Sequence, residues 1–161
     1  MPVDDFFSKI CKKFNEKGVK YLVCGAYASI LHGIERISGN IRKTTDYDFI
    51  VDSSKENVRR IKSALIEEIK EVRDLKEDDL ERHETVLIVD EKQRSIDLIS
   101  KLWGLDYSTA IKRAVFKEVK GIKIPVICID DLIKTKLKSF RIKDKYDVYW
   151  LKKLKTLNRE R

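Results

Sequence analysis

Apolar side chains recur at helical spacing over residues 3–17, where Phe6, Phe7, Ile10, Cys11 and Phe14 share one face and Gly18 supplies a stop. The period then changes. Residues 20–25, KYLVCG, form a short apolar run closed by glycine, which predicts a buried strand, and residues 26–33 return to helical spacing up to Gly33. Residues 35–45, ERISGNIRKTT, are polar around a Ser-Gly-Asn turn signal and read as a loop. Residues 46–52, DYDFIVD, alternate charge with bulk, which is strand periodicity.

Ser53 or Ser54, with Glu56 close behind, opens a helix whose Val58, Ile61, Ala64, Leu65 and Ile69 share a face. Residues 74–84 are acidic and read as a solvated connection. Residues 85–90 and 94–100 form a hairpin through Glu-Lys-Gln, 106–114 a short helix, and 115–129 two strands across Gly121, with Pro125 pushing the second toward a sheet edge. The tail is helical over 130–140 and 143–157. In the first of these, Leu132, Ile133, Leu137 and Phe140 are expected to face the core, leaving Lys136 to project from the side. Helices interleaved with strands predict an α/β or α+β domain, a mixed sheet with helices packed against it. At 161 residues, with no linker or repeat, the chain reads as a single domain over 1–161 whose C-terminal helices 130–157 pack onto the rest.

Composition narrows the function classes. No apolar run approaches the roughly 20 residues needed to span a bilayer, and the N-terminus lacks the pattern of a signal peptide, so a cytoplasmic protein without a membrane partner is expected. Cys11, Cys24 and Cys128 are few, odd in number and scattered among apolar residues, which argues for buried hydrophobes rather than disulfides or a zinc site. Lys and Arg number 35 against 27 acids, a formal charge of +8 that suits a nucleic acid or a nucleotide. A charged fraction of 39% equally suits the surface of a heat-adapted protein.

The alternation in DYDFIVD carries the sharpest chemistry. Residues two apart on a strand share a side, so Asp46 and Asp48 point together while Tyr47 and Phe49 turn toward a core. Two such carboxylates raise each other's pKa unless a cation joins them, and an all-oxygen site suits Mg²⁺ or Mn²⁺. A solvated strand edge, or pairing with Arg42 and Lys43, would serve as well. Asp97 is a lone acid in the apolar strand RSIDLIS; beside 46–52 it would complete a three-carboxylate metal site for phosphoryl or nucleotidyl transfer, with Asp97 as base. Gly25, between strand and helix, would let backbone amides approach a phosphate.

Taken together, LVCGAYASILHG, RKTTDYDFIVDSSKENVRRI, SIDLIS and IPVICIDDLIKTKLKSFRIKDKYDVYWL resemble the minimal nucleotidyltransferases of the DNA polymerase beta superfamily, most nearly the group of AbiEii-type toxins, from about Gly18 to Leu151. The resemblance implies the nucleotidyltransferase fold and Mg²⁺-dependent transfer of a nucleoside monophosphate from an NTP, to a tRNA 3′ end or a protein hydroxyl. A toxin–antitoxin setting, with a cognate protein partner, is implied too. It places Asp46, Asp48 and Asp97 as metal ligands, these three with Lys136 as catalytic, and Gly25, Ala26, Arg42, Thr44, Arg141, Lys143 and Asp144 around the nucleotide. Two departures stand out: Ala26 replaces a glycine or small polar residue, and the interval from Gly25 to Asp46 is long. They motivate the alternative of a degenerate nucleotidyltransferase-like module that binds nucleic acid or a protein.

Overall fold

The computed structural model describes residues 4–159. The Asp4 side chain accepts the Phe7 amide at 2.7 Å and so caps helix α1 (Asp5–Glu16), which buries Phe7, Ile10, Cys11 and Phe14. Strand β1 (Tyr21–Cys24) is buried along its whole length, which is why it reads as an unbroken apolar run. Helix α2 (Gly25–His32) begins at the next residue and ends at Gly33, in the left-handed region. Part of the segment expected to be loop is helical: α3 (Ile34–Ser38) is anchored by fully buried Ile34 and stopped by Gly39. Five residues are too few for a period to show.

Strand β2 (Asp46–Val51) leads to α4 (Lys55–Leu65), where the Ser54 hydroxyl accepts the Asn57 amide at 3.2 Å. Ile69 is buried but lies beyond the end of α4. A 3-10 turn (Lys70–Asp74) and α5 (Asp79–Arg82) interrupt the acidic connection, and buried Leu75 and Leu80 pin it to the core. Strands β3 (Thr85–Val89) and β4 (Ser95–Ile99) form the expected hairpin. A second hairpin, β5 (Lys101–Leu102) with β6 (Leu105–Asp106), was not legible in the pattern. Helix α6 (Tyr107–Ala110), strands β7 (Val115–Val119) and β8 (Ile122–Val126), and helices α7 (Ile129–Leu137) and α8 (Ile142–Arg159) complete the chain.

Six strands make one mixed sheet in the order β3-β4-β2-β1-β8-β7, with β2 parallel to β4, β1 parallel to β8 and the other pairs antiparallel. Pro125 does not put β8 at an edge; β7 is the edge and β8 lies inside. The proline is tolerated because β1 joins β8 only beyond it, through Val23 beside Val126 and the Ile127 amide donating to the Val23 carbonyl at 2.9 Å. The buried apolar side chains form one cluster, and α7 and α8 pack on each other and on α2. Among the described residues no helix is long and apolar enough to cross a membrane.

The phase of α7 also differs from expectation. Lys136 turns inward and is 5% exposed, while Leu137 is 57% and Phe140 94% exposed. Asp144 and Asp147 of α8 receive the Lys136 ammonium, so a neutralised cation takes an inward position that apolar periodicity would give to leucine. Phe140 lies past the end of α7.

Candidate active site

An aromatic wall fixes which way β2 faces. Phe7 and Phe14 of α1 meet Phe49 at ring distances of 6.1 and 5.2 Å, and the Tyr47 hydroxyl donates to Asp4 Oδ2 at 2.9 Å beside the Tyr27 hydroxyl at 2.6 Å. With Tyr47 and Phe49 held there, Asp46 and Asp48 must point to the other side. Asp48 stands opposite Cys24 of β1 and opposite Asp97 of β4, and lateral neighbours in a sheet share a face. Asp97 therefore lies on the same side of the sheet as the Asp46–Asp48 pair.

Asp48 is in an environment hostile to charge. Burial first, then the Asp97 carboxylate beside it and Asp46 further along the strand, push its pKa well above the usual carboxylate range; Lys136 pulls the other way. The Ser95 hydroxyl donates to Asp97 Oδ1 at 2.6 Å. Burial, reinforced by Asp48, drives the Cys24 thiol far up, so this cysteine stays protonated and is no nucleophile. Gly25 closes the site from above. Its φ is +67°, and a Cβ built there would lie 2.0 Å from Asp48 Oδ2. Only glycine lets the start of α2 come this close to the carboxylate.

The chemistry of these side chains suits a cation. Two half-buried carboxylates stand side by side in register, and their donors are all oxygen, as Mg²⁺ and Mn²⁺ prefer. As the side chains stand, no three His, Cys, Asp or Glu among the described residues converge tightly enough to hold a metal ion. Asp48 and Asp97 border one cavity, of about 560 Å³, and Asp46 and Asp48 border another, of about 350 Å³.

The remaining expected residues fall into two groups. Gly25, Lys136, Arg141 and Asp144 line the cavity shared by Asp48 and Asp97, whereas Ala26, Arg42, Thr44 and Lys143 line the one shared by Asp46 and Asp48, to which Arg141 also contributes. Several are already engaged. Arg42 grips Asp147 through Nε at 3.0 Å and Nη2 at 3.2 Å, Lys136 bridges Asp144 and Asp147 at 3.0 and 2.9 Å, and Arg141 Nε meets Asp144 at 3.1 Å. Burial alone would raise Asp144, but the Ser139 hydroxyl, Lys136 and Arg141 outweigh it and hold its pKa low. The Thr44 hydroxyl accepts the Asp46 amide at 3.1 Å, shaping the strand's first residue. Lys143 and the Arg141 guanidinium remain exposed.

The sequence reading missed Trp103 and Phe140 as site residues; both line the Asp48–Asp97 cavity. The Trp-Gly dipeptide at 103–104 was the available signal, since a glycine between short apolar segments marks a turn. Cys128, expected to be a buried hydrophobe, is half-buried and caps α7 by accepting the Asp131 amide at 3.5 Å. His32 is a core residue: its Nε2–H donates to the Ile127 carbonyl at 2.7 Å.

No family model matches the sequence, and no curated protein matches it. Among solved structures, the chain is similar to the crystal structure of a Thermotoga maritima protein provisionally described as a nucleotidyltransferase. The TM-score is 0.57 over 97% of this chain and 92% of that one, at 20% identity. That likeness extends to the architecture and not to the AbiEii-type group in particular: the chain has a nucleotidyltransferase-like α/β fold.

Proposed function

We propose that this protein is a metal-dependent nucleotidyltransferase, moving a nucleoside monophosphate from an NTP to the 3′ hydroxyl of an RNA. One observation carries the reading. Asp48 and Asp97 stand in register on adjacent parallel strands, beside a glycine that makes room for them, at the meeting of two cavities edged by Arg141 and Lys143. The name of the Thermotoga maritima neighbour agrees with this class of reaction.

Asp46, Asp48 and Asp97 would hold Mg²⁺ or Mn²⁺, which when bound supplies charge to stabilise the attacking and leaving oxygens. The protein's own groups do the rest. Asp97 takes the proton of the acceptor hydroxyl, and the Ser95 hydroxyl fixes its carboxylate through Oδ1. The acceptor oxygen then bonds to the α-phosphorus, the bond from that phosphorus to the bridging oxygen breaks, and pyrophosphate leaves with the electron pair. The backbone at Gly25, free of a Cβ, admits the phosphates, and Arg141 and Lys143 offset their charge. Lys136 acts indirectly, holding α8 against α7 while moderating the charge on Asp48. A net charge of +8 suits a polyanionic acceptor.

The test is incubation with NTPs labelled at the α-phosphate, Mg²⁺ and total RNA. Label should enter RNA, and Asp48→Asn or Asp97→Asn should each lower the rate by at least about 10²-fold. Mn²⁺ should raise the melting temperature of the wild type and not of Asp48→Asn. Label entering protein instead would move the acceptor to a protein hydroxyl; transfer undiminished in Asp48→Asn would overturn the assignment.

A further inference from the structure

The β5–β6 hairpin carries a residue that its turn disfavours. Lys101 pairs with Asp106 and Leu102 with Leu105, so Trp103 and Gly104 alone make the turn, both at positive φ, 51° and 84°. Two-residue turns of this kind favour Asn-Gly, and a bulky side chain at positive φ is strained. Burial does not compensate, since Trp103 is 57% exposed. Strain of this sort persists where a side chain is wanted for its position.

The position is informative. Trp103 borders the cavity of about 560 Å³ that Asp48 and Asp97 also line, a volume in the range of small-ligand sites. Phe140, exposed and expected in the core, lines the same cavity. The Lys138 ammonium sits 5.9 Å from the Trp103 ring centroid, and Lys138 and Arg141 line the cavity together with the aromatics and the acids. Exposed aromatic faces, cations and carboxylates lining one cavity match a molecule with an aromatic base and a phosphate.

We propose that Trp103 is the stacking platform for the base of a nucleotide in this cavity, with Phe140 as a second apolar wall and Lys138 and Arg141 toward the phosphate. The base belongs either to the incoming NTP or to the last nucleotide of an RNA acceptor. The phosphate end rests on the nucleotidyl-transfer reading; the stacking does not.

Trp103→Asn tests it, because asparagine tolerates positive φ while removing the ring. In the full-length protein this variant should melt no lower than the wild type yet bind a fluorescent ATP analogue or a labelled oligoribonucleotide about tenfold more weakly, with Trp103→Phe keeping most of the affinity. Whichever probe is weakened identifies the source of the base. Inorganic tripolyphosphate, which has no base, should bind wild type and Trp103→Asn alike. In a Trp150→Phe background Trp103 is the only tryptophan, and its fluorescence should be quenched by the weakened probe. Unchanged affinity of Trp103→Asn for both probes, or an equal loss of tripolyphosphate, would overturn the proposal. Trp103-dependent binding without label transfer would uphold stacking and remove the transfer reading; transfer with affinity indifferent to Trp103 would do the reverse.

Discussion

Two pairs of acids meet around Lys136, and the protein treats them oppositely. Asp144 and Asp147 are enclosed by Lys136, Arg42 and Arg141, so every charge in that cluster has a partner within 3.2 Å. Asp48 and Asp97 stand side by side, with the Ser95 hydroxyl as the one side-chain hydrogen-bond donor to them among the described residues. Lys136, the cation that eases the charge on Asp48, is already shared by the other two acids. Both clusters cost desolvation, Asp144 and Asp147 being buried and Asp48 and Asp97 half-buried. The neutralised one joins α7 to α8 and ties the loop before β2 to α8 through Arg42; the unneutralised one leaves room for a cation from outside. A deficit of positive charge, more than the presence of carboxylates, sets the candidate site apart.

Charge removal should break this contrast most visibly. Asp147→Ala strands Lys136 and Arg42 without their partner and should cost about 3–5 kcal/mol of unfolding free energy in denaturant titrations. Asp48→Asn deletes a half-buried repulsion and, without divalent metal, should leave the unfolding free energy unchanged or higher while abolishing metal-induced stabilisation. If both variants lost stability equally, the two clusters would be one structural network and the distinction would fail.

How far these clusters could be read beforehand differs residue by residue. Asp46, Asp48 and Asp97 stood out because a charge inside an apolar alternation is a local signal. That Asp48 meets Asp97 depends on the parallel pairing of β2 with β4, a long-range register that no local pattern states. Lys136 misled for the same reason: its inward turn is set by Asp144 and Asp147, 8 and 11 residues on, and propensity alone would have put leucine there. Pro125 misled because the ladder with β1 starts only after it. Strand order, helix phase against a partner and the strained Trp103 turn are tertiary facts, whereas periods and stops are local ones.

A smaller effect sharpens the role of Gly25. Gly25, Gly104 and Gly121 are among the six glycines at positive φ, but a Cβ meets nothing within 4 Å at Gly104 or Gly121 and would strike Asp48 at Gly25. Gly104→Ala and Gly121→Ala should therefore cost only the backbone strain, on the order of 1 kcal/mol. Gly25→Ala should cost that and also displace the Asp48 carboxylate, lowering Mn²⁺-induced stabilisation and any transfer by more than the loss of fold explains. Equal behaviour of the three variants in a Mn²⁺ thermal-shift titration would show that Gly25 serves the turn and not the site.

The smallest effect concerns a third way of burying a titratable group, keeping it neutral. Burial, with a minor contribution from the charge of Lys117, lowers the His32 pKa from its ordinary 6.5, although its bond to the Ile127 carbonyl opposes the shift. Between the lowered folded value and 6.5 the unfolded chain binds more protons than the folded one, so stability rises with pH there. The contribution is complete above the unfolded pKa and is lost as pH falls from that value through the folded one. The slope from this one residue is at most about 1.4 kcal/mol per pH unit. His32→Gln keeps an N–H for the Ile127 carbonyl and removes the titration, so its unfolding free energy should fall less than that of the wild type between about pH 7.5 and pH 5.5. The carboxylates are common to both proteins and cancel in the difference. Parallel curves would mean that His32 takes up its proton inside the folded core as readily as outside it, so that its bond to the Ile127 carbonyl cancels the effect of burial.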